Sequence, residues 1–442
     1  MIDRDAAWVA RAAGGVLVAG DPDRPGPRRA LIDSREVGPG DLFVGLPGSN
    51  ADGGEFARAA LEQGAWGVLV EQSRADQMTR ARVGGAVVIG AENPLAALAS
   101  LAREWRLQLD CPAVGVTGST GKTSTKDILT ALLRPHKRVH SNRENFNTEI
   151  GLPLSLLQAE RGTDVLVLEM AMRGEGQIAE LVSIAEPQVG VIVNVGPVHL
   201  ELLGTIERVA AAKAELIRDL PNGGACVVPA DEPLLEPHLR GELETITFGE
   251  GGDVSLESFS EGRALIDARG ERIELELPFE EPHNLENTLA AVGACLALGV
   301  TPRGSVDVQF SSLRGEVLEL GGGVTVVNDC YNANPMSMRA ALDHLAATPA
   351  SRRIAILGGM AELGPEADRW HRELGEHADR LGIDVLITVG ELGLGFAQGY
   401  AGETHSVATP EEAGALLEEI AQPGDRVLVK GSRSVGLERV LA

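Results

Sequence analysis

The chain has 442 residues, 44% of them hydrophobic and 23% charged, with a formal net charge of −25. That length is too great for one hydrophobic core and indicates two to four domains of a globular protein. The charge argues against nonspecific nucleic-acid binding and against docking on an anionic membrane, no apolar run approaches membrane-spanning length, and the acidic opening Met1–Asp5 does not read as a secretory signal.

Residues 1–90 mix short strands with helices. Asp41–Leu46 and Trp66–Val70 read as strands, with a helix over Phe56–Gln63 between them. Asn93-Pro94 then opens a helix reaching about Arg106, with proline at a favoured first-turn position. A domain boundary is placed just before it.

From Pro112 onward strands and helices alternate. Ala113–Val116 reads as the end of a buried strand, and the run Gly115-Val116-Thr117-Gly118-Ser119-Thr120-Gly121-Lys122-Thr123 follows it into a helix over Ser124–Leu133. The glycines leave no side chains over the turn, so backbone N–H groups can point at an anion that also faces the helix N-terminus. Gly118, Ser119, Thr120, Gly121, Lys122, Thr123 and Ser124 are therefore the expected nucleotide-phosphate site. Lys122 would reach the β/γ-phosphates, and the Thr123 hydroxyl would ligate Mg²⁺. Val116 stands where the general phosphate-loop pattern has glycine.

Val165–Leu168, Val189–Val195 and Ala225–Pro229 are continuous apolar runs of strand length, as in a parallel sheet buried on both faces. Glu169 ends the first of these. It reads either as a magnesium ligand beside the phosphate loop or as a solvated turn residue. His199 follows the second and reads either as a ligand or as a structural loop histidine. Lys213, in the helical run Glu207–Leu220, reads by residue type as an exposed helix lysine.

His283-Asn284-Leu285-Glu286-Asn287 opens a helix that ends at Gly299. Asn284 and Asn287 share a face and could bond an adenine edge, with helix capping as the other reading of Asn284. Thr301–Gly304 is the expected hinge. A second α/β pattern follows, with strands at Val324–Val327, Ile354–Leu357, Val385–Val389 and Arg426–Val429, and helices centred near Ala341, Leu374 and Leu416. Asn328–Pro335 is dense in polar groups between a strand and a helix. It reads as a ribose-binding strand end or as an Asn/Pro-rich turn capped by Asn334. Cys111, Cys226, Cys295 and Cys330 are scattered and read as small buried residues, without disulfide or zinc spacing.

Together these segments resemble the Mur ligase family, from about Asp33 to Leu441. Thr117–Thr123 matches the phosphate loop of that family, which accounts for Val116. Asn145–Pro153, Asp329…Tyr331-Asn332-Ala333-Asn334-Pro335 and Lys430-Gly431-Ser432-Arg433 are most similar to the members that add D-alanyl-D-alanine; the Asp-Asn-Pro-Arg of the diaminopimelate-adding members is missing.

The resemblance implies an α/β protein of three domains. They are a small mixed α/β domain at 1–90 for the uridine nucleotide, a central parallel-sheet P-loop ATPase domain at 91–303, and a Rossmann-like C-terminal domain at 304–442. It places Ser34 and Arg35 in the uridine-binding segment, Asn145, Asn147, Tyr331, Asn332, Asn334, Lys430, Ser432 and Arg433 at substrate, and Arg314 and Asp329 near phosphates and ribose. Glu169 and His199 fall at metal ligands with Thr123, and Lys213 at a lysine that becomes carbamylated in many members.

Three positions depart from the family pattern. Asp52-Gly53-Gly54 replaces Asp-Gly-His, Arg314-Gly315 reverses Gly-Arg, and Gly358-Gly359-Met360 lacks an aspartate.

The implied activity is ATP-dependent amide formation between UDP-MurNAc-tripeptide and D-alanyl-D-alanine, with Mg²⁺, in a cytoplasmic monomer that engages neither nucleic acid nor membrane. The competing classes are a nucleotide switch, which would need the missing Asn-Lys-x-Asp, and a kinase acting on a hydroxyl; a closer alternative is another Mur-type ligase, such as a folylpolyglutamate synthetase. No general base for the amine is evident.

Overall fold

The computed structural model describes residues 1, 3–48, 51–80, 85–143 and 145–441. Among them the chain forms three sheets with helices on both faces. The first sheet uses β1 (Val16–Ala19), β2 (Arg29–Leu31), β3 (Asp41–Val44), β4 (Gly67–Glu71) and β5 (Val87–Ala91), with helices α1 (Ala6–Ala12), α2 (Ala57–Glu62) and α3 (Gln72–Arg80). Its order is β1-β5-β4-β3-β2; β2 to β5 run parallel and β1 antiparallel.

Helix α4 (Pro94–Leu109) leads to the central sheet. Asn93 caps it and Pro94 opens it. The central strands are β6 (Ala113–Thr117), β7 (Val139–Ser141), β8 (Val165–Glu169), β9 (Val189–Ile192), β10 (Ala225–Pro229), β11 (Glu244–Phe248), β12 (Val254–Ser260), β13 (Arg263–Ala268), β14 (Glu271–Glu276) and β15 (Gly304–Ser305). The order is β15-β14-β13-β12-β11-β10-β9-β6-β8-β7. Strands β6 to β11 pair in parallel as expected, whereas β12, β13 and β14 add an antiparallel meander. Helices α5 (Lys122–Leu133), α6 (Gly151–Leu156), α7 (Gln177–Ala185), α8 (Leu200–Leu203), α9 (Ile206–Asp219) and α10 (Pro282–Ala297) cover it.

The third sheet has β16 (Glu316–Leu320), β17 (Val324–Asn328), β18 (Arg352–Gly358), β19 (Val385–Val389), β20 (Glu403–Val407) and β21 (Asp425–Lys430), in the order β16-β17-β21-β18-β19-β20. All but β16 are parallel. Helices α11 (Pro335–Ala347), α12 (Ala367–Arg380), α13 (Gly390–Gly399) and α14 (Pro410–Ile420) flank it.

Two expectations change. The run Val189–Val195 leaves the sheet after Ile192, because Asn194 and Gly196 turn to bond the phosphate loop. The hinge expected at Thr301–Gly304 lies in the central sheet, since Gly304 and Ser305 pair with Leu275 and Glu276. Val306, Val308 and Phe310 also pack on the central core, and Phe310 stacks 5.4 Å from Phe279. Ser311 then donates to Asp127 through its N–H and its hydroxyl, both at 3.0 Å, and Leu313 packs on the third sheet. The chain thus crosses between sheets at Ser311–Leu313.

The first and central sheets share one continuous core, in which Trp8 meets Trp105 edge-on at 6.4 Å, while each face of the third sheet has a core of its own. Within the third sheet's layer, α12 crosses α13 at Gly375, where any Cβ would strike the Phe396 carbonyl oxygen. Gly375→Ala should therefore destabilise the protein by about 1–3 kcal/mol through overpacking. Scanning calorimetry should show the loss as a lowered melting temperature.

Candidate active site

The phosphate loop joins β6 to α5. Gly121 turns the chain with φ +73°, and a Cβ there would collide with the Asn287 amide oxygen of α10. Lys122 Nζ donates back to the Gly118 carbonyl at 2.8 Å. Asn194 holds the first half of the loop: its Oδ1 accepts the N–H groups of Ser119 at 3.1 Å and Thr120 at 2.9 Å. Two backbone donors expected to face an anion are thus engaged by a side chain. Ser119 Oγ also exchanges hydrogen bonds with the backbone of Gly196. Ser124 lies in the first turn of α5.

Glu169 ends β8 beside this loop and is only 2% exposed, which rules out the solvated-turn reading. Its carboxylate accepts from Thr123 Oγ1 and Asn147 Nδ2, both at 2.7 Å. Asn142 clamps its backbone, accepting the Glu169 N–H at 2.8 Å and donating to the Glu169 carbonyl at 2.9 Å. Buried Lys126 donates to the Asn142 carbonyl and pairs with Asp127, the same carboxylate that receives Ser311. A hydrogen-bonded path therefore links the inter-sheet crossing to the carboxylate. Asn145 is exposed and outside this network.

Lys213 corrects the reading by residue type. It is 2% exposed, on the buried face of α9 with Val209, Ala210 and Leu216. Among the described residues it makes no ion pair. Burial pushes its ammonium well below the ordinary lysine range, and the charge of Lys122 adds to the shift. Burial also lowers Lys122, with Glu169 opposing. His199 adopts φ +54° before α8 and hydrogen-bonds the Glu362 carboxylate. Burial depresses its pKa and Glu362 opposes the shift.

Asn284 is not the cap of α10, which starts at Pro282. It is buried and accepts from Asn287 Nδ2 at 3.3 Å, while the Asn287 amide oxygen lies against Gly121 of the phosphate loop. The third sheet brings its own residues to this face. Asp329 accepts from Lys430 Nζ at 2.6 Å, and Lys430 also donates to the Asn332 carbonyl. Asn334 caps α11 in a capping box and donates to the Ser119 carbonyl at 3.4 Å. Asn334 is therefore the cap of α11 and also reaches the phosphate loop. Buried Ser432 accepts the Ala361 N–H at 2.9 Å. The Tyr331 ring lies under Arg314 at 4.1 Å, with Arg433 at 5.9 Å. Met336 packs on Gly196, and Glu362 also pairs with Arg173 at 3.4 Å.

Ser34 and Arg35 stand apart from this cluster. They lie in the turn after β2, where Arg35 pairs with Asp33. Sequence reasoning missed Asn142, Asn194, Asp127 and Glu362. Asn194 alone had a legible signal, an amide just past a buried strand.

Three family models cover most of the chain. "Mur ligase family, catalytic domain" matches residues 30–106, "Mur ligase middle domain" 116–295 and "Mur ligase, glutamate ligase domain" 313–433. The chain belongs to the Mur ligase family. Among relatives of this Mur ligase, a UDP-N-acetylmuramoyl-tripeptide–D-alanyl-D-alanine ligase of Synechocystis sp. is 37% identical over 93% of this chain and 90% of its own. One of Bacillus subtilis is 32% identical over 100% and 98%. Solved structures agree in fold: a MurF ligase from Thermotoga maritima in complex with ADP has TM-score 0.80 at 34% identity, covering 94% and 96% of the two chains. MurF from Acinetobacter baumannii has TM-score 0.87 at 26% identity, covering 99% and 98%.

Lys122 faces the loop of this Mur ligase rather than a core, so Lys122→Ala should fold normally. Its turnover should fall by about 10²–10³, the usual cost of losing one transition-state charge stabiliser. Steady-state ADP release by the purified, folded variant measures this.

Proposed function

We propose that the chain is an ATP-dependent ligase that joins D-alanyl-D-alanine to UDP-MurNAc-tripeptide, a step of peptidoglycan precursor synthesis. The observation that carries this is the buried Glu169–Thr123 pair beneath the phosphate loop, with Asn334 of the third sheet's unit donating to Ser119 of that loop. The full-length relatives are named for the same reaction.

A carboxylate and an amine form an amide in water only after activation. The tripeptide carboxylate attacks the γ-phosphorus of ATP, giving an acyl phosphate and ADP. The amine then attacks the acyl carbon, the C–O bond to phosphate breaks, and the nitrogen gives up a proton. Lys122 offsets charge on the transferring phosphoryl group, and the loop and α5 position it. Asn142, Asn147 and Asn194 keep these groups in place through the bonds described above.

The donor set fits Mg²⁺, which takes one or two carboxylates and leaves positions for phosphate oxygens. Thr123 and Glu169 supply a hydroxyl and a carboxylate 2.7 Å apart, and a carbamylated Lys213 would add two more oxygens. His199 is assigned to the same set, with Glu362 orienting its ring. Among the described residues no three His, Cys, Asp or Glu side chains form a cage by themselves, so waters and phosphate oxygens would share the remaining positions. Bound there, the ion supplies charge neutralisation and a template for the phosphates.

Asn284 and Asn287 are assigned to the nucleotide side, and Arg314, Tyr331, Asn332, Asn334, Ser432 and Arg433 to the substrate side. The uridine end is assigned to the first sheet with Ser34 and Arg35. We place the unit boundaries near Glu92 and at Ser311–Leu313. No helix among the described residues is long and apolar enough to cross a membrane.

ADP release should require both UDP-MurNAc-tripeptide and D-alanyl-D-alanine, and mass spectrometry should find the pentapeptide product. Equal ADP release without the amine, and no amide product, overturns the reading.

The depressed pKa of Lys213 leaves more neutral amine near neutral pH, and carbon dioxide adds only to that form. Falling pH protonates the amine and reverses the modification. Lys213→Ala should thus cripple turnover and spare nucleotide binding, with partial recovery in a small carboxylate. Calorimetric ADP binding and ADP release with and without acetate check both halves.

A further inference from the structure

A second cavity lies far in sequence from the phosphate loop, in the first sheet. It holds about 200 Å³ at the carboxyl ends of β3, β4 and β5, between Gly45, Pro47, Asp52, Glu71, Arg74 and Glu92. That edge is where open α/β sheets bind ligands. The volume is below the roughly 300–1,000 Å³ of a whole-ligand pocket, so it admits one part of a larger molecule.

Arg74, in the first turn of α3, lies across Gly54. A Cβ on Gly54 would sit 2.6 Å from Arg74 Cδ and 2.9 Å from Nε. The guanidinium bonds the Asp52 carboxylate and lies 3.5 Å from Glu55, and Asp52 also accepts the Gly54 N–H at 2.9 Å. Gly54 is the position at which Asp52-Gly53-Gly54 departs from the Asp-Gly-His of the family. The side chain of residue 74 fills the volume that residue 54 vacates.

We propose that Arg74 is a specificity-determining residue of this Mur ligase, reading the uracil ring of the nucleotide substrate in the cavity beside Gly54. The inference rests on the ligase reading and names the part of the substrate held there. Asp52, Glu71 and Glu92 outnumber the single guanidinium, so the lining disfavours a diphosphate. Uracil is neutral, with two carbonyl acceptors and one N–H. A guanidinium carries five N–H donors, so Arg74 can hold Asp52 and still donate to a ring carbonyl, while a lining carboxylate accepts the ring N–H.

Calorimetry on the full chain with uridine, UDP and CDP tests this. Wild-type protein should bind uridine and prefer UDP to CDP. Arg74→Met keeps the apolar stem over Gly54, so its melting temperature should hold. It should weaken uridine and UDP alike by about tenfold or more, and erase the preference over CDP. KM should rise for UDP-MurNAc-tripeptide and not for ATP. Gly54→His alone should also weaken binding, by colliding with Arg74, and the double variant Arg74→Met/Gly54→His should regain affinity.

Unchanged uridine affinity in Arg74→Met, or a loss confined to UDP, overturns the inference while wild-type ligation leaves the ligase reading standing. A wild-type protein that binds no UDP-MurNAc-tripeptide and ligates nothing overturns both.

Discussion

The structure depends on one buried carboxylate. Glu169 sits at the end of β8, almost without solvent, next to a loop built to receive anions. A buried carboxylate is costly unless every oxygen is engaged. Here Thr123 and Asn147 serve its side chain, and Asn142 serves its backbone on both sides. Those bonds fix the first turn of α5 and the segment around Asn147 relative to the sheet. The phosphate loop, the carboxylate and the Asn147 loop are therefore tied together.

Around that unit the chain gathers cations that its overall charge does not foretell. The protein carries a net charge of −25, yet Lys122, Lys126 and Lys213 are gathered on the central sheet, and the charge of Arg314 acts on Lys122. An anionic nucleotide meets a local positive field inside an anionic surface, the arrangement that focuses a charged ligand into a cleft. Lys126 pairs with Asp127 and Lys430 with Asp329, whereas Lys213 makes no ion pair among the described residues. An unpaired buried ammonium favours its neutral form.

The three sheets are joined unequally. The first and central sheets share apolar packing across α1, α4 and α6. The third touches the central one through polar and small contacts: Asn334 on Ser119, Met336 on Gly196, and Glu362 on His199 and Arg173. Contacts of that kind make a smaller and more polar junction than the shared core of the first two sheets. The Asp127–Ser311 bonds tie the crossing to α5, the helix that carries the phosphate loop.

The sequence by itself determined the elements whose signals are local. Glycine and threonine around Lys122 need a strand before and a helix after, and Ala225–Pro229 and Val385–Val389 are strands at the expected bounds because both of their faces are buried. The antiparallel meander was also written locally, in the strict alternation of Glu271-Arg272-Ile273-Glu274-Leu275-Glu276, though a search for buried parallel strands passes over a half-exposed pattern. Tertiary structure alone decided the rest. Burial of Lys213 follows from how α9 lies on the sheet, and no lysine announces that in its neighbours. Asn194 and Glu362 act on groups 74 to 163 residues away, and the Thr301–Gly304 stretch ends in the central sheet because Gly304 found a partner strand 29 residues earlier. Arg74 fills the gap at Gly54 only because α3 starts beside that loop. Local periodicity records which face of an element is apolar; it holds no record of which distant polar group will meet it.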